Sequence, residues 1–122
     1  MREMALKIAF AHLGKSWNNP TDFIVEILES VGLVPNKSKW TVNRLADIWQ
    51  RTRSNVPGDL VFWRKPSGKA WHVEMCIGEG LSIGVEDGFV RVRPIHSRFV
   101  RVRPMSSRPK VWGYTDPFGD TK

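Results

Sequence analysis

The sequence has few of the residues that build disulfides and metal sites. Its one cysteine, Cys76, excludes an intrachain disulfide and any cysteine-rich zinc site. The three histidines, His12, His72 and His96, lie far apart and lack the spacing of metal ligands. The sequence therefore predicts neither a metal ion nor a cofactor.

Long apolar runs are also missing. No run approaches the roughly 18 residues that a membrane-spanning helix needs. Residues 1–4 do not lead into the apolar stretch of a signal peptide. We therefore expect no membrane span and synthesis in the cytoplasm without a signal peptide.

Acidic residues are absent from one long segment. The 122 residues carry 19 basic and 12 acidic side chains, for a net charge of +7. Seven of the basic residues, and no acidic one, lie between Gly88 and Thr115, so the rest of the chain is neutral. The length fits a single compact domain, and the charge excess belongs to one C-terminal segment of it.

The first part of the chain has helical periodicity. Apolar residues at helical spacing predict a first helix that ends at Gly14. A second helix begins with Asn19 as its cap and Pro20 in the first helical position, where a missing N–H is tolerated, and it ends at Gly32. A third, shorter helix is predicted over residues 41–49.

After Pro57-Gly58 the pattern changes to the alternation that is typical of strands. The segment Phe89–Pro94 recurs as Phe99–Pro104, with valines on one face and arginines on the other. The predicted strands are Asp59–Arg64, Trp71–Gly78, Leu81–Val85, the two copies of the repeat and Val111–Tyr114. Helices in about residues 1–52 followed by antiparallel strands in about 57–115 predict one α+β domain.

Three short segments carry a family resemblance. The stretch Pro57–Trp63, followed by His72-Val73 and by Ile77–Gly80, resembles the NlpC-type family of papain-like cell-wall peptidases. Thr21–Leu33 looks like the helix that carries the nucleophile in that family. The resemblance implies helices packed on an antiparallel, partly barrel-like sheet, and a Cys–His pair that cleaves peptide bonds in bacterial peptidoglycan.

The C-terminal part resembles the members of this family that bacteriophages encode. The matching segments are Val92-Arg93-Pro94 and Gly113–Phe118. The resemblance implies a location in the virion, in a phage tail or baseplate, with other tail proteins as partners. Peptidoglycan is a further candidate partner.

The sequence departs from the family pattern at two of three site positions. His72 falls at the general-base position. Counting back from Gly32 places Pro20 at the nucleophile position, and the third polar residue, about a dozen residues after the histidine, falls at Gly84. A thiol at a helix N-terminus is activated by the helix dipole, whereas proline offers no nucleophile. The resemblance therefore implies an inactive site.

Other residues are weaker candidates for the missing role. Cys76 shares a strand face with His72 but lies about 13 Å along it, beyond hydrogen-bond reach. Thr21 has a hydroxyl, although helix capping explains it as well. Glu74 shares the face of His72, as its partner or as an acid in the cleft. Thr21, Glu74 and Trp17 are candidate cleft residues, and Trp17 has the flat surface that stacks on sugars.

The basic segment has three interpretations. Arginines at alternate positions fit a solvated strand face. Together with Phe89 and Phe99 they also fit a nucleic-acid surface, although no nucleic-acid motif accompanies them. The third interpretation is a docking face for an acidic partner, reached by edge-to-edge strand addition. The candidate partner-binding residues are Arg91, Arg93, Arg101 and Arg103.

The predicted function is that of a degenerate phage cell-wall peptidase domain that acts as a structural or docking component. Two alternatives remain open. One is an active tail-associated hydrolase that helps to penetrate the cell wall, with a nucleophile that the sequence does not reveal. The other is a basic module that binds nucleic acid or an anionic wall polymer.

Overall fold

The computed structural model describes residues 1–35, 39–53, 55–96 and 110–119. The second copy of the repeat, residues 99–104, lies outside the described residues, and so do Arg101 and Arg103. No helix in the described ranges is long and apolar enough to cross a membrane.

Three helices precede the strands, as predicted: α1 (Arg2–Ala11), α2 (Pro20–Ser30) and α3 (Val42–Ile48). The side chain of Asn19 accepts hydrogen bonds from the backbone N–H groups of Thr21, at 2.8 Å, and Asp22, at 3.2 Å. This cap and the proline in the first position explain why α2 begins where the sequence predicts.

All three helices end earlier than the sequence predicts, α2 at Ser30 rather than at Gly32. The first helix stops at Ala11, and a turn connects it to Gly14, whose φ of +82° lies in the left-handed region that favours glycine. Thr41 caps α3 by accepting a hydrogen bond from Arg44 N at 3.2 Å. Trp49, predicted as helical, instead has extended backbone and is the C-cap of α3.

The strands of the described residues form one six-stranded antiparallel sheet, in the order β1-β6-β2-β3-β4-β5. Over the described residues the sheet does not close into a barrel, so the partly barrel-like form that the resemblance implies is not seen there. The strands are β1 (Arg51–Thr52), β2 (Leu60–Arg64), β3 (Ala70–Gly78), β4 (Leu81–Glu86), β5 (Phe89–Pro94) and β6 (Lys110–Thr115). The described strands that were predicted lie within one residue of these bounds, whereas β1 was not predicted.

The strand register divides the side chains between two faces. On the face covered by α2 and α3, the cross-strand pairs include Leu60–Met75 and Phe62–Val73, which belong to the main core. On the opposite face the pairs include Val61–Glu74 and Trp63–His72. A smaller core lies on this second face, composed of Val61, Trp63, Cys76 and Ile95. The sheet therefore separates the helical layer from the face that carries His72.

The outer edge of β5 is partly covered by the loop after α1. Gly14 N donates to Val90 O at 2.9 Å, and Val90 N donates to Lys15 O at 3.0 Å. Trp17 N adds a hydrogen bond to Gly88 O at 2.8 Å. Strand addition by a partner is therefore blocked over the first half of this edge.

Arg2 connects three distant parts of the chain. Its guanidinium lies 2.9 Å from Asp59 Oδ1 and 2.6 Å from Asp116 Oδ1, and it donates to Pro57 O at 2.8 Å. Both carboxylates are buried, and the Arg2 guanidinium also lies over the Phe118 ring at 4.9 Å. The start of α1 is thereby joined to the entry of β2 and to the turn after β6.

We expect Arg2→Ala to destabilise the fold by about 3 kcal/mol at pH 7, because it leaves two buried carboxylates without their common cation. Burial raises the pKa of Asp59, and Arg2 opposes that shift. A raised pKa in the folded state favours folding at acid pH, and this contribution is lost as the pH rises through that pKa. Without Arg2 the pKa of Asp59 rises further, so the variant folds well only while this carboxyl is protonated. We therefore expect the loss of unfolding free energy caused by Arg2→Ala to grow from pH 4 to pH 7, as measured by urea unfolding.

The matched control for Arg2→Ala is Lys7→Ala, which removes an exposed cation from the same helix. We expect it to change the free energy of unfolding by less than about 0.5 kcal/mol. Equal losses for the two variants would contradict a special role for Arg2.

Candidate functional site around His72

His72 is a buried residue on β3, with 6% of its surface exposed. It lies opposite Trp63 on β2, and the two ring centroids are 5.4 Å apart. The neighbouring Trp71, which is 39% exposed, approaches the imidazole to 5.6 Å between centroids. Aromatic rings therefore pack against His72, which restricts the orientation of its imidazole.

Glu74 is the hydrogen-bond partner of His72. Glu74 Oε2 lies 2.7 Å from His72 Nε2, and the Ser82 hydroxyl donates to Glu74 Oε1 at 2.7 Å. Glu74 and Ser82 are fully buried. A buried carboxylate is tolerated only when it is paired and hydrogen-bonded, and here each of its two oxygens has a partner. The sequence offered Glu74 as a partner of His72 or as an acid in the cleft, and in the structure the two side chains are in contact.

Gly84 adjoins this pair on β4. A Cβ atom added at Gly84 would lie 2.3 Å from Glu74 Cγ and 2.6 Å from Glu74 Cδ. Such distances are far below van der Waals contact, and both atoms belong to the buried part of the side chain. Glu74 therefore occupies the space that any side chain at position 84 would need.

The other predicted cleft residues lie in the helical layer. Pro20 and Thr21 open α2 and are half-buried. Trp17 makes edge-to-face contacts with Phe23, at 5.5 Å between centroids, and with His12, at 5.2 Å. The structure thus brings together His72, Glu74 and Gly84, whereas Pro20 and Thr21 lie at the start of α2 and Trp17 packs against Phe23 of the same helix.

Cys76 is a buried residue of the smaller core. Burial, with a further contribution from the nearby Asp59 carboxylate, raises the pKa of the Cys76 thiol to about 12. The thiolate is the nucleophilic form of cysteine, so this side chain is inert at neutral pH.

The arginines of β5 extend the His72 face toward the edge of the sheet. Arg91 lies opposite Gly84, and Arg93 lies opposite Ser82, so both share the face of His72. Both are exposed, and Arg93 Nε donates to Glu86 Oε1 at 3.0 Å. The basic segment is distant from His72 in sequence, yet these two residues flank the site in the sheet.

Ser82 is the residue of this site that the sequence did not single out. The two-residue period of strands could have placed Ser82 on the same face of β4 as Gly84. The sequence could not show that this face lies beside Glu74, because the register between β3 and β4 is set by pairing across strands. In the described part of the chain, no group of three or more His, Cys, Asp or Glu residues is arranged to hold a metal ion.

Comparisons with known proteins identify the fold. No family model and no curated protein sequence matches the chain. Among solved structures, the chain is similar to the NlpC/p60 domain of the peptidoglycan hydrolase SagA, with a TM-score of 0.70 and 17% sequence identity. The match covers 95% of this chain and 98% of that one. The predicted α+β fold of the NlpC type is thereby confirmed.

We expect the native protein to resist alkylation of Cys76 by iodoacetamide at pH 7.5, because the thiol is buried and protonated. One equivalent of label should be incorporated after unfolding in guanidinium chloride. Mass spectrometry of the intact chain measures both states. Rapid labelling of the folded protein would contradict the buried position of Cys76.

Proposed function

We propose that this chain is a non-hydrolytic domain built on the scaffold of a peptidoglycan hydrolase, and that it acts as a docking component of a phage tail or baseplate. The observation that carries the proposal is the start of α2. The residue in its first position is Pro20, at the place where the family resemblance puts the nucleophile.

The chemistry at this helix start supports the proposal. A thiol there would gain a lowered pKa from the helix dipole and from unpaired backbone N–H groups. Pro20 has neither a thiol nor an N–H group, and the next two N–H groups are already bound by Asn19. The only cysteine of the chain, Cys76, is buried with a raised pKa.

The charge distribution supports docking to an acidic partner. Arg91 and Arg93 are exposed beside each other on the His72 face, and arginine pairs with carboxylates in a bidentate manner. Because the loop after α1 covers the first half of the β5 edge, such a partner could add a strand only along the second half, and we expect it to bind mainly through side chains. Arg101 and Arg103 belong to this proposal by sequence, and the tail location rests on the resemblance of the C-terminal segments to phage-encoded members.

We expect the purified chain to release no soluble peptide from isolated peptidoglycan, because it lacks an activated nucleophile. Chromatography of the digest with amine labelling of new N-termini measures the release, and an active peptidoglycan peptidase serves as the positive control. The variant His72→Ala should be indistinguishable from the natural chain. Cleavage by the natural chain that is lost in His72→Ala would overturn the proposal in favour of an active hydrolase.

The assignment of Pro20 to a nucleophile position can be tested by installing a thiol there. In Pro20→Cys the thiol pKa is expected to fall to about 7.5 or below, because the residue opens α2. The control is Ser30→Cys at the opposite end of the same helix, where the dipole is unfavourable and the pKa should stay at or above about 8.5.

The pH dependence of iodoacetamide labelling measures the pKa of both introduced thiols, and the buried Cys76 does not interfere. Equal values for the two variants would contradict the assignment.

A further inference from the structure

We propose that Glu74 is the positioning residue of His72, and that it replaces, from β3, a side chain that position 84 on β4 cannot provide. Gly84 is glycine because Glu74 fills the space above it. The proposal goes beyond the proposed function, since it concerns the internal order of the site and holds whether or not the chain cleaves a substrate.

The hydrogen bonds give Glu74 a single orientation. Its Oε2 faces His72 Nε2 at 2.7 Å, and its Oε1 accepts from the Ser82 hydroxyl at 2.7 Å. Two short hydrogen bonds at opposite oxygens fix both the position and the rotation of the carboxylate. The carboxylate in turn requires a proton on Nε2, so it determines which ring nitrogen of His72 is the donor.

The space around Glu74 supplies an independent argument. A Cβ at position 84 would approach Glu74 Cγ to 2.3 Å, Cδ to 2.6 Å and Oε2 to 2.9 Å. Gly84 lies within the regular pairing of β4 with β5, where the backbone does not itself require glycine. The absence of a side chain at 84 is therefore explained by the presence of Glu74, and the two residues form one steric unit.

The contact between Glu74 and His72 explains how the imidazole is oriented although position 84 is glycine. Position 84 alone suggests that His72 has lost the residue that orients it. In the structure, the orienting group reaches His72 from two residues along the same strand, on the same face. His72 is therefore held by a buried acid rather than left without an orienting partner.

A double-mutant cycle tests the steric unit. We expect Gly84→Ala to raise the unfolding equilibrium constant at least tenfold more in the natural chain than in the Glu74→Ala background, because the clash disappears with the glutamate. Urea unfolding at pH 7 measures all four proteins. Equal effects of Gly84→Ala in the two backgrounds would overturn the proposal, whereas a Gly84→Ala chain that folds only when Glu74→Ala is added would support it.

Gly113→Ala provides the control for additivity. Its added Cβ would meet Arg51 Nε at 2.5 Å, so this substitution also introduces a clash, but on β6, two strands away from β3. We expect its effect on the unfolding equilibrium constant to be the same in the natural chain and in the Glu74→Ala background. Coupling of Glu74→Ala to Gly113→Ala as large as its coupling to Gly84→Ala would overturn the proposal.

The positioning role has its own readout, which does not depend on how well Gly84→Ala folds. In ¹H–¹⁵N spectra, we expect a slowly exchanging ring N–H signal from His72 Nε2, assigned by its loss in His72→Gln. The signal should persist in Glu74→Gln, whose amide oxygen still accepts, and should be lost in Glu74→Ala. Its absence from the natural chain, or its persistence in Glu74→Ala, would overturn the assignment of Glu74 as the positioning residue.

Discussion

The buried carboxylate of Glu74 lies within the sheet, and the residues around it are those that its two oxygens need as hydrogen-bond donors. Transfer of an ionised carboxylate into a protein interior costs several kcal/mol unless hydrogen bonds compensate. Ser82 and His72 provide those bonds to Glu74, and Gly84 provides the room. Residues on two adjacent strands are thus coupled to one side chain, and a change at any of them disturbs the others.

The start of a helix such as α2 can either be capped, which stabilises the helix, or hold a reactive group. The N-terminal N–H groups of a helix need hydrogen-bond acceptors. A capping side chain and a catalytic thiolate would both be stabilised by these N–H groups and by the positive end of the helix dipole. Here Asn19 accepts from two of these groups, and Pro20 removes a third. The N–H groups at this helix start are therefore satisfied from within the chain.

The tertiary structure places part of the excess positive charge on the same sheet face as His72. In sequence, the basic segment is separate from His72, which suggests a surface unrelated to the site. The antiparallel pairing of β4 with β5 sets Arg91 beside Gly84 and Arg93 beside Ser82, on the face that carries His72. The exposed guanidinium groups of Arg91 and Arg93 therefore lie at the border of the buried site around His72.

Features that depend on nearby residues were predictable. The Asn19-Pro20 start of α2, the start of α3 near Thr41 and the bounds of most strands all arise within a few positions of the chain. Capping bonds and the two-residue period of strands act over that range. The order of helices and strands predicted an α+β domain, and the family resemblance added its NlpC type, which the similarity to the NlpC/p60 domain confirms.

The rest was decided by contacts between distant residues. Nothing local indicates that β6 inserts between β1 and β2, or that Arg2 reaches Asp116, 114 positions away. Sequence also could not show that Gly84 makes room for Glu74, because the two meet only through the register of β3 and β4. By itself the sequence predicted the three helices, most of the strands, the proline at the start of α2 and the excess of positive charge. Only the tertiary structure decided which of these residues share a face, because strand order and register are set by the packing of the whole sheet.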